Sequence, residues 1–282
     1  MQLYSECIVC LFQQALRIAK LTTPDQYQQW TILHRLSQEI AELPINTIQV
    51  EVAGKIRQII AETTGETDPY CEQKKYYNNV ALGLYPRLQS IVEQSSDPLL
   101  SAIRIAIAGN IIDFGLGDTF NLEQTVEESL TEDFAIFDYS QFQEKLKPAD
   151  TILYLADNTG EIVFDRLLID FLQKQGKQVA IAVRGAPVLN DATLEDANAI
   201  GLVNQCEVIS NGAALPGTVL SETSSLFQQY FHKADLMIAK GQGNFEGLFE
   251  VEAPLTFLFK AKCEPIAREL GVSVGSMVFY QR

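Results

Sequence analysis

The chain has 282 residues, and its 21 Lys and Arg against 36 Asp and Glu give it a net charge of −15 at pH 7. This charge argues against a large interface with nucleic acid or with an anionic membrane, because like charges repel. Hydrophobic residues make up 47% of the chain, so intrinsic disorder is excluded as its main state. A small anionic substrate fits such a protein only where Lys, Arg or a divalent metal ion neutralises it locally.

The N-terminal segment and the cysteines indicate the compartment. The first residues carry Glu6 and lack a basic region, unlike a signal peptide, and no apolar run approaches the ~20 residues that span a bilayer. The five cysteines are too few, and odd in number, for a secreted domain framed by disulfides. We therefore expect a cytoplasmic protein with reduced thiols and no membrane or nucleic-acid partner. Its oligomeric state is left open.

Over the first ~110 residues, apolar side chains recur at intervals of three and four, which predicts a series of helices. The first is stopped by residues 22–24, and the second begins at Asp25 with Trp30 and Leu33 on its inner face. Further helices are predicted over residues 50–62, 72–94 and 98–108. This array indicates a helical N-terminal domain or cap, which we assign to residues 1–115.

Beyond about residue 149, the pattern changes to short continuous apolar runs, which are typical of strands buried on both faces. The runs cover residues 151–156, 178–183, 207–210, 235–239, 255–259 and 276–281. An amphipathic helix over residues 161–174, closed by Gly176, separates the first two. Strand, helix and strand in series predict an α/β domain over residues 116–282 with a doubly wound, mostly parallel sheet.

Polar and glycine-rich segments follow the predicted strands. Because open parallel sheets bind ligands beyond the carboxyl ends of their strands, we expect these segments to gather at one edge and form the active site. They are Asp157-Asn158-Thr159-Gly160-Glu161, Arg184-Gly185-Ala186-Pro187, Asn211-Gly212, Lys240-Gly241-Gln242-Gly243-Asn244 and Lys260-Ala261-Lys262.

Two of these segments suggest a metal site. Asp157 and Asn158 offer a carboxylate and an amide oxygen after the first strand, and Asp191 brings a second carboxylate after the next. Hard divalent cations take such oxygen ligands, and a set of three leaves coordination positions for water and substrate. The alternative is that Asp157 caps the following helix and that Asn190-Asp191 is a turn.

Lys240 follows a buried strand and precedes Gly241 and Gly243, so we expect its ammonium to stand beside a loop that lets an anion approach closely. The alternative is a solvent-exposed lysine at a strand end. The pair Asn211-Gly212 is equally compatible with a plain turn.

Several other chemistries lack their signatures. There is no P-loop, and no second Asp stands two residues after Asp157, as an aspartyl-phosphate phosphatase would need. No acid follows the late glycines at the spacing of a dinucleotide-binding fold. The two histidines, His34 and His232, lie in no nucleophile motif. Water activated by a metal ion remains the economical mechanism.

Short motifs spread over nearly the whole chain match a known family. Besides the segments after the strands and Asn190-Asp191, they are Cys7-x-x-Cys10, Asp68-Pro69-Tyr70 with Lys74 and Asn78, Ala108-Gly109-Asn110 with Asp113, and Lys262-Cys263. With these motifs the chain resembles the damage-control phosphatases, a metal-dependent family long described as a domain of unknown function. It is most similar to the prokaryotic subgroup with paired N-terminal cysteines.

The resemblance implies a helical region packed on an α/β domain, and hydrolysis of small phosphate esters such as sugar phosphates or damaged phosphometabolites. It also implies one divalent metal ion (Mn, Co, Ni or Mg), held by the residues matching Asp157, Asn158 and Asp191, and a phosphate contact from Lys240. We expect these four residues to be catalytic. The expected substrate-binding residues are Arg184, Asn211, Gly212, Gly241 and Asn244. Some relatives carry Asp in place of Gln242, which leaves the substrate open.

Two other functions remain as alternatives. The first is a sensor that binds a nucleotide or a phosphometabolite in the same pocket without turnover, since binding and catalysis use the same loops. The second is a carboxyl methyltransferase, an activity proposed for a relative. It is disfavoured because residues 157–161 lack the repeated glycines of a methyl-donor loop.

The paired cysteines suggest a second site. Cys7 and Cys10 are three residues apart on a predicted helix and share a face, so both thiols can bind one metal ion or form a structural site, with Cys71 as a third ligand. The alternative is that they are small buried hydrophobic residues of the helical core.

Overall fold

A computed structural model describes residues 1–44, 46–109 and 122–282 of the chain. Its α-helices are α1 (Ser5–Thr22), α2 (Gln26–Ala41), α3 (Gln49–Thr64), α4 (Cys71–Gln94), α5 (Pro98–Gly109), α6 (Leu122–Thr131), α7 (Tyr139–Leu146), α8 (Glu161–Lys174), α9 (Leu194–Ala199), α10 (Ser225–Lys233), α11 (Gly241–Leu248) and α12 (Glu264–Leu270). Its strands are β1 (Phe134–Phe137), β2 (Thr151–Leu155), β3 (Gln178–Val183), β4 (Glu207–Ser210), β5 (Leu236–Lys240), β6 (Leu255–Lys260) and β7 (Met277–Gln281). Asn110 and Asp113 of the motifs quoted above lie outside the described residues.

The helices predicted in the N-terminal part are present as α1 to α5. In α2 the buried face passes through Ile32 and Leu36, with Leu33 packed partly against the same core. The prediction that Trp30 faces inward is wrong, because its side chain is 58% exposed. Trp30 instead stacks on His34, with ring centroids 4.8 Å apart. Both rings lie one turn apart on the outer face of the helix, where stacking covers apolar surface that the core does not reach.

In the described residues the strands form a seven-stranded sheet in the order β1-β7-β6-β5-β2-β3-β4. Five neighbouring strands, β6 to β4 in that order, run parallel, whereas β7 is antiparallel to β6 and parallel to β1. The predicted α/β class with a mostly parallel sheet is confirmed. The edge strand β1 was not predicted, because a four-residue apolar run is too short to distinguish a strand from a helix segment.

Helices cover both faces of the sheet. Ile152 and Tyr154 of β2 pack into the core that includes α4, α5 and α8. Leu153 and Leu155 of the same strand point to the other face and pack with residues of α10, α11 and α12. Alternate side chains are thus buried on opposite faces, as expected for a central strand of continuous apolar sequence.

Helices α1, α2 and α3 form a third core, around Leu11, Ile32 and Ile56. Although α4 and α5 fall within the predicted N-terminal domain, residues of both share the core of the sheet. The predicted division near residue 115 stays a prediction. None of the described helices is long and apolar enough to cross a bilayer.

The three-helix layer reaches the carboxyl ends of the parallel strands. Arg57 Nε of α3 donates a hydrogen bond of 2.5 Å to the carbonyl of Pro187, in the loop after β3. Leu189 of the same loop packs against the core of the three helices. The loop after β3 therefore contacts this helical layer at the carboxyl ends of the strands.

Candidate active site

The segments that follow β2 and β3 pair with each other at the carboxyl edge of the sheet. Asn158 and Asp191 are antiparallel bridge partners. Thr159 N donates to the Asn190 carbonyl at 2.9 Å, and Ala192 N donates to the Asp157 carbonyl at 2.8 Å. This pairing brings together the backbones of the three predicted metal ligands, and the side chains of all three are buried.

Asp157 is not the cap of α8. The N-cap residue of that helix is Gly160, and no side chain caps it. The amide N of Gly160 donates instead to Asn78 Oδ1 of α4 at 2.7 Å. The carboxylate of Asp157 is engaged elsewhere, as an acceptor from Asn158 and Arg184.

Arg184, at the end of β3, holds two of the carboxylates. Its Nε donates to Asp191 Oδ2 at 2.5 Å, and its Nη2 lies 3.4 Å from Asp157 Oδ1. Its Nη1 donates to Asn244 Oδ1 at 3.1 Å. The guanidinium is buried, and its planar array of donors suits several oxygen acceptors at once. Arg184 was predicted to bind substrate, and the structure shows it fixing the positions of the acidic side chains.

The amide of Asn158 has a fixed orientation. Its Nδ2 donates to Asp157 Oδ2 at 2.8 Å and to Glu161 Oε2 at 3.1 Å, which uses both N–H groups. Its Oδ1 meets no donor in the described part of the chain, and neither does Asp191 Oδ1. These two oxygens are available to a ligand.

Lys240 lies on the face of the sheet that carries α8. Side chains alternate along a strand, so Lys240 follows Ile238 into the core beneath α5 and α8. Its ammonium is fully buried and donates to the Ala106 carbonyl at 2.8 Å, to Glu161 Oε1 at 2.7 Å and to Asp165 Oδ1 at 2.6 Å. All three of its N–H groups are therefore used. The predicted contact with phosphate stays a prediction, and it requires that Lys240 release one of these acceptors.

Glu161 and Asp165 were not predicted as site residues. They stand four apart on α8 and so share its inward face, and both are fully buried. Glu161 connects Lys240 to the amide of Asn158, and Asp165 Oδ1 also accepts from Tyr154 at 2.6 Å. Two acids at this spacing on the apolar face of a helix were the signal in the sequence that could have identified them.

Two predicted residues in the first turns of α11, which follows β5 directly, support the backbone of the site. Gly241 has a φ of +78°, and a Cβ at this position would lie 1.9 Å from Asp157 Oδ2. Only glycine fits there. Asn244 donates through Nδ2 to the carbonyls of Lys240 at 2.7 Å and Ala156 at 3.1 Å, which joins the ends of β2 and β5.

Asn211 and Gly212 form a turn after β4. Asn211 Oδ1 accepts from the backbone N of Ala213 at 2.9 Å, whereas Asn211 Nδ2 is buried and has no partner in the described structure. Gly212 has a φ of +81° and packs against Gly185, whose added Cβ would lie 2.4 Å from the carbonyl carbon of Gly212. An unpaired buried donor costs about 1–3 kcal/mol, which a substrate oxygen would offset.

The buried site contains more acidic than basic side chains. Two buried cations are hydrogen-bonded to four buried carboxyl groups: Arg184 to Asp157 and Asp191, and Lys240 to Glu161 and Asp165. Burial raises the pKa of Asp157 to about 8, and the neighbouring Asp191 and Glu161 add to the effect. Burial also raises the pKa of Asp191, against the attraction of Arg184. With all groups ionised, the cluster carries an excess of two negative charges, which one divalent cation would balance.

The structure does not group the three predicted cysteines. Cys7 is buried and Cys10 exposed on α1. Burial raises the pKa of Cys7, and Cys263, before α12, adds to this shift. Cys71 lines a cavity between α4 and α9 together with Lys74. In the described part of the chain, no three or more His, Cys, Asp or Glu side chains are grouped so as to hold a metal ion. The cysteine site stays a prediction, and the set at β2 and β3 relies on the amide of Asn158.

Comparisons of sequence and of structure with known proteins all point to one family. Residues 3–278 match the family model described as the damage-control phosphatase ARMT1-like domain. The chain is 35% identical to the damage-control phosphatase PH1575 of Pyrococcus horikoshii, over 99% of this chain and 97% of that one. It is 35% identical to a damage-control phosphatase of Archaeoglobus fulgidus, over 96% of each. The crystal structure of the DUF89 family protein from Pyrococcus horikoshii superposes with a TM-score of 0.90, at 34% identity, covering 100% of this chain and 99% of that one.

Proposed function

Because the chain belongs to the damage-control phosphatase family, we propose that it hydrolyses small phosphate esters, such as sugar phosphates or damaged phosphometabolites, with one divalent metal ion. The ion is Mn, Co, Ni or Mg and is held by Asp157, Asn158 and Asp191. The observation that carries this proposal is a pair of oxygens, Asn158 Oδ1 and Asp191 Oδ1. They belong to paired backbone segments and meet no donor among the described residues.

The donor set suits such an ion. Carboxylate and amide oxygens are the ligands that hard divalent cations prefer, and the excess negative charge of the buried cluster favours a cation over a neutral ligand. When bound, the ion supplies Lewis-acid polarisation of the phosphoryl group and activation of water for attack.

The chain's own residues orient the ligands. Glu161 and Asp157 accept both N–H groups of Asn158, which directs its amide oxygen away from them. Arg184 holds Asp157 and Asp191 against the repulsion between their charges. Lys240 pairs with Glu161 from the core side, and so helps to position Glu161 and, through it, the amide of Asn158.

Substrate recognition uses the loops around this set. Asn211 Nδ2 is a buried donor without a partner in the described structure and is available to an oxygen of the substrate. Gly212 and Gly241 let the backbone pack closely against Ser224 and Asp157, so their proposed contacts with substrate would be made through backbone atoms.

Phosphate release from p-nitrophenyl phosphate tests the proposal. Protein treated with EDTA should be inactive and should recover turnover with added Mn²⁺, Co²⁺, Ni²⁺ or Mg²⁺. Asp191→Asn should abolish that turnover. The matched control is Asp170→Asn, an acid on α8 that pairs with Lys174 near the surface and should keep full activity.

A panel of sugar phosphates then identifies the substrate. If a phosphorylated ligand binds to the metal-loaded protein and none of the metals supports turnover, the protein is a sensor and the proposed activity is wrong.

A further inference from the structure

The cations at the centre of the site are already paired. A phosphate monoester brings about −1.5 to −2 charge at neutral pH, and one divalent ion only balances the two excess negative charges of the carboxyl cluster, so the substrate needs a further cation. Three cations nearby each form two ion pairs: Arg184 with Asp157 and Asp191, Lys240 with Glu161 and Asp165, and Lys74 with Asp68 and Asp196. Lys240 has no free N–H group, and the charges of Arg184 and Lys74 are each already offset by two carboxylates.

Lys262 lies at the same carboxyl edge of the sheet but, unlike these three cations, is exposed and without an ion pair in the described residues. Lys260, two residues earlier on β6, pairs with Glu132 at 2.6 Å. An exposed lysine without a partner can bind an anion without breaking an existing contact.

The position of Lys262 is fixed by its backbone. Lys262 N donates to Gln242 Oε1 at 2.8 Å. Gln242 directly follows Gly241, whose backbone packs against the carboxylate of Asp157. These contacts connect the backbone of Lys262, through Gln242, to the segment that packs against Asp157.

We propose that Lys262 binds the phosphate group of the substrate and so provides the positive charge that the paired cations cannot. This inference rests on the proposed phosphatase function and adds a substrate-binding residue to it. The flexible stem of Lys262 lets the ammonium follow the phosphate, while the hydrogen bond to Gln242 keeps its base in place.

The test compares Lys262→Met with the matched control Lys233→Met. Lys233 is another exposed lysine without an ion pair among the described residues, and it lies beside Thr151, at the opposite ends of the strands. With p-nitrophenyl phosphate and Mn²⁺, Lys262→Met should lower kcat/KM by about 10- to 100-fold, the range expected for a lost charge-assisted hydrogen bond. Lys262→Arg should keep most of the wild-type kcat/KM, and the kcat/KM of Lys233→Met should equal that of the wild type.

Calorimetric titration with inorganic phosphate gives a second readout that does not need turnover. Lys262→Met should weaken phosphate binding to the Mn²⁺-loaded protein by about the same factor, and leave Mn²⁺ binding to the metal-free protein intact. Equal phosphate affinity in Lys262→Met and the wild type overturns the role of Lys262, whether or not the protein turns over. A wild type that binds phosphate through Lys262 without metal-stimulated hydrolysis refutes the phosphatase function alone.

Discussion

Glu161 and Lys240 face each other across the core at 2.7 Å, and neither side chain is exposed to solvent. Burial lowers the pKa of Lys240, but the carboxylates of Asp165 and Glu161 outweigh it, so the pKa is raised overall and the lysine stays charged. Because the other oxygen of Glu161 accepts from Asn158, this ion pair connects the core to the proposed metal site.

Removing the Lys240 ammonium should therefore lower the free energy of unfolding. Lys240→Met removes the cation that neutralises the buried Glu161 and Asp165, and breaking a buried ion pair in this way costs about 3–5 kcal/mol. Urea denaturation measures the loss. The matched control is Lys174→Met on α8, which removes a lysine that is 60% exposed and should cost less than about 1 kcal/mol. Equal midpoints for Lys240→Met and the wild type would show that Lys240 is not a structural partner of these acids.

Most of the site could be predicted from the chain order of its strands. The carboxyl ends of parallel neighbours must meet at one edge, so Asp157, Asn158, Asp191 and Arg184 were expected together, and the structure brings them together. This rule depends only on strand order, which continuous apolar runs and the helix between them indicate well.

The direction of the Lys240 side chain could not be predicted in the same way. A shift of one residue in the end of a strand moves a side chain to the other face, and a fully buried strand has no polar alternation to fix the register. The position of Cys71 depends on how distant helices pack, which no local pattern records. Both outcomes come from tertiary packing rather than from the segments themselves.

Loss of a proposed metal ligand should remove activity without removing the fold. Burial disfavours the charged form of Asp157 and of Asp191 and raises the pKa of both. Asp157→Asn and Asp191→Asn each remove this unfavourable charge, so neither should lower the melting temperature of the metal-free protein. Both should abolish metal-stimulated phosphatase activity and weaken Mn²⁺ binding in calorimetric titration. Asn158→Ala should do so less completely, because a neutral ligand contributes less to holding a cation. Near-wild-type activity in either Asp variant with added metal would place the site elsewhere.

Stability should fall with rising pH through the titration of Glu246. Burial raises the pKa of Glu246 to about 7, against a hydrogen bond from Gln242, whereas an unfolded glutamate has a pKa of about 4.3. Between these values the folded state holds a proton that the unfolded state has lost, so the free energy of unfolding decreases as pH rises and levels off above about 7.

Urea denaturation of EDTA-treated protein at intervals from pH 4.5 to 8, roughly the window set by these two pKa values, measures this slope. In Glu246→Gln, the same-sized side chain cannot titrate, so the decrease over the window should be smaller by about 3 kcal/mol. Parallel curves for this variant and the wild type would show that Glu246 titrates normally.

The close contact between Gly241 and Asp157 should make any side chain at position 241 harmful to the site. Gly241→Ala combines a φ of +78° with a Cβ that would lie 1.9 Å from Asp157 Oδ2, so the carboxylate must move away from its position beside Asn158.

Gly271→Ala is the matched control, since its φ is +67° and nothing lies within 4 Å of the added Cβ. In urea denaturation, Gly271→Ala should lose about 1 kcal/mol of stability from backbone strain, and Gly241→Ala should lose more because the displaced carboxylate gives up its contacts. Gly241→Ala alone should also lose at least about tenfold in Mn²⁺ affinity and most of its phosphatase activity, because its effect on Asp157 is local. Equal Mn²⁺ affinity in the two variants would show that the position of the Asp157 carboxylate does not control metal binding.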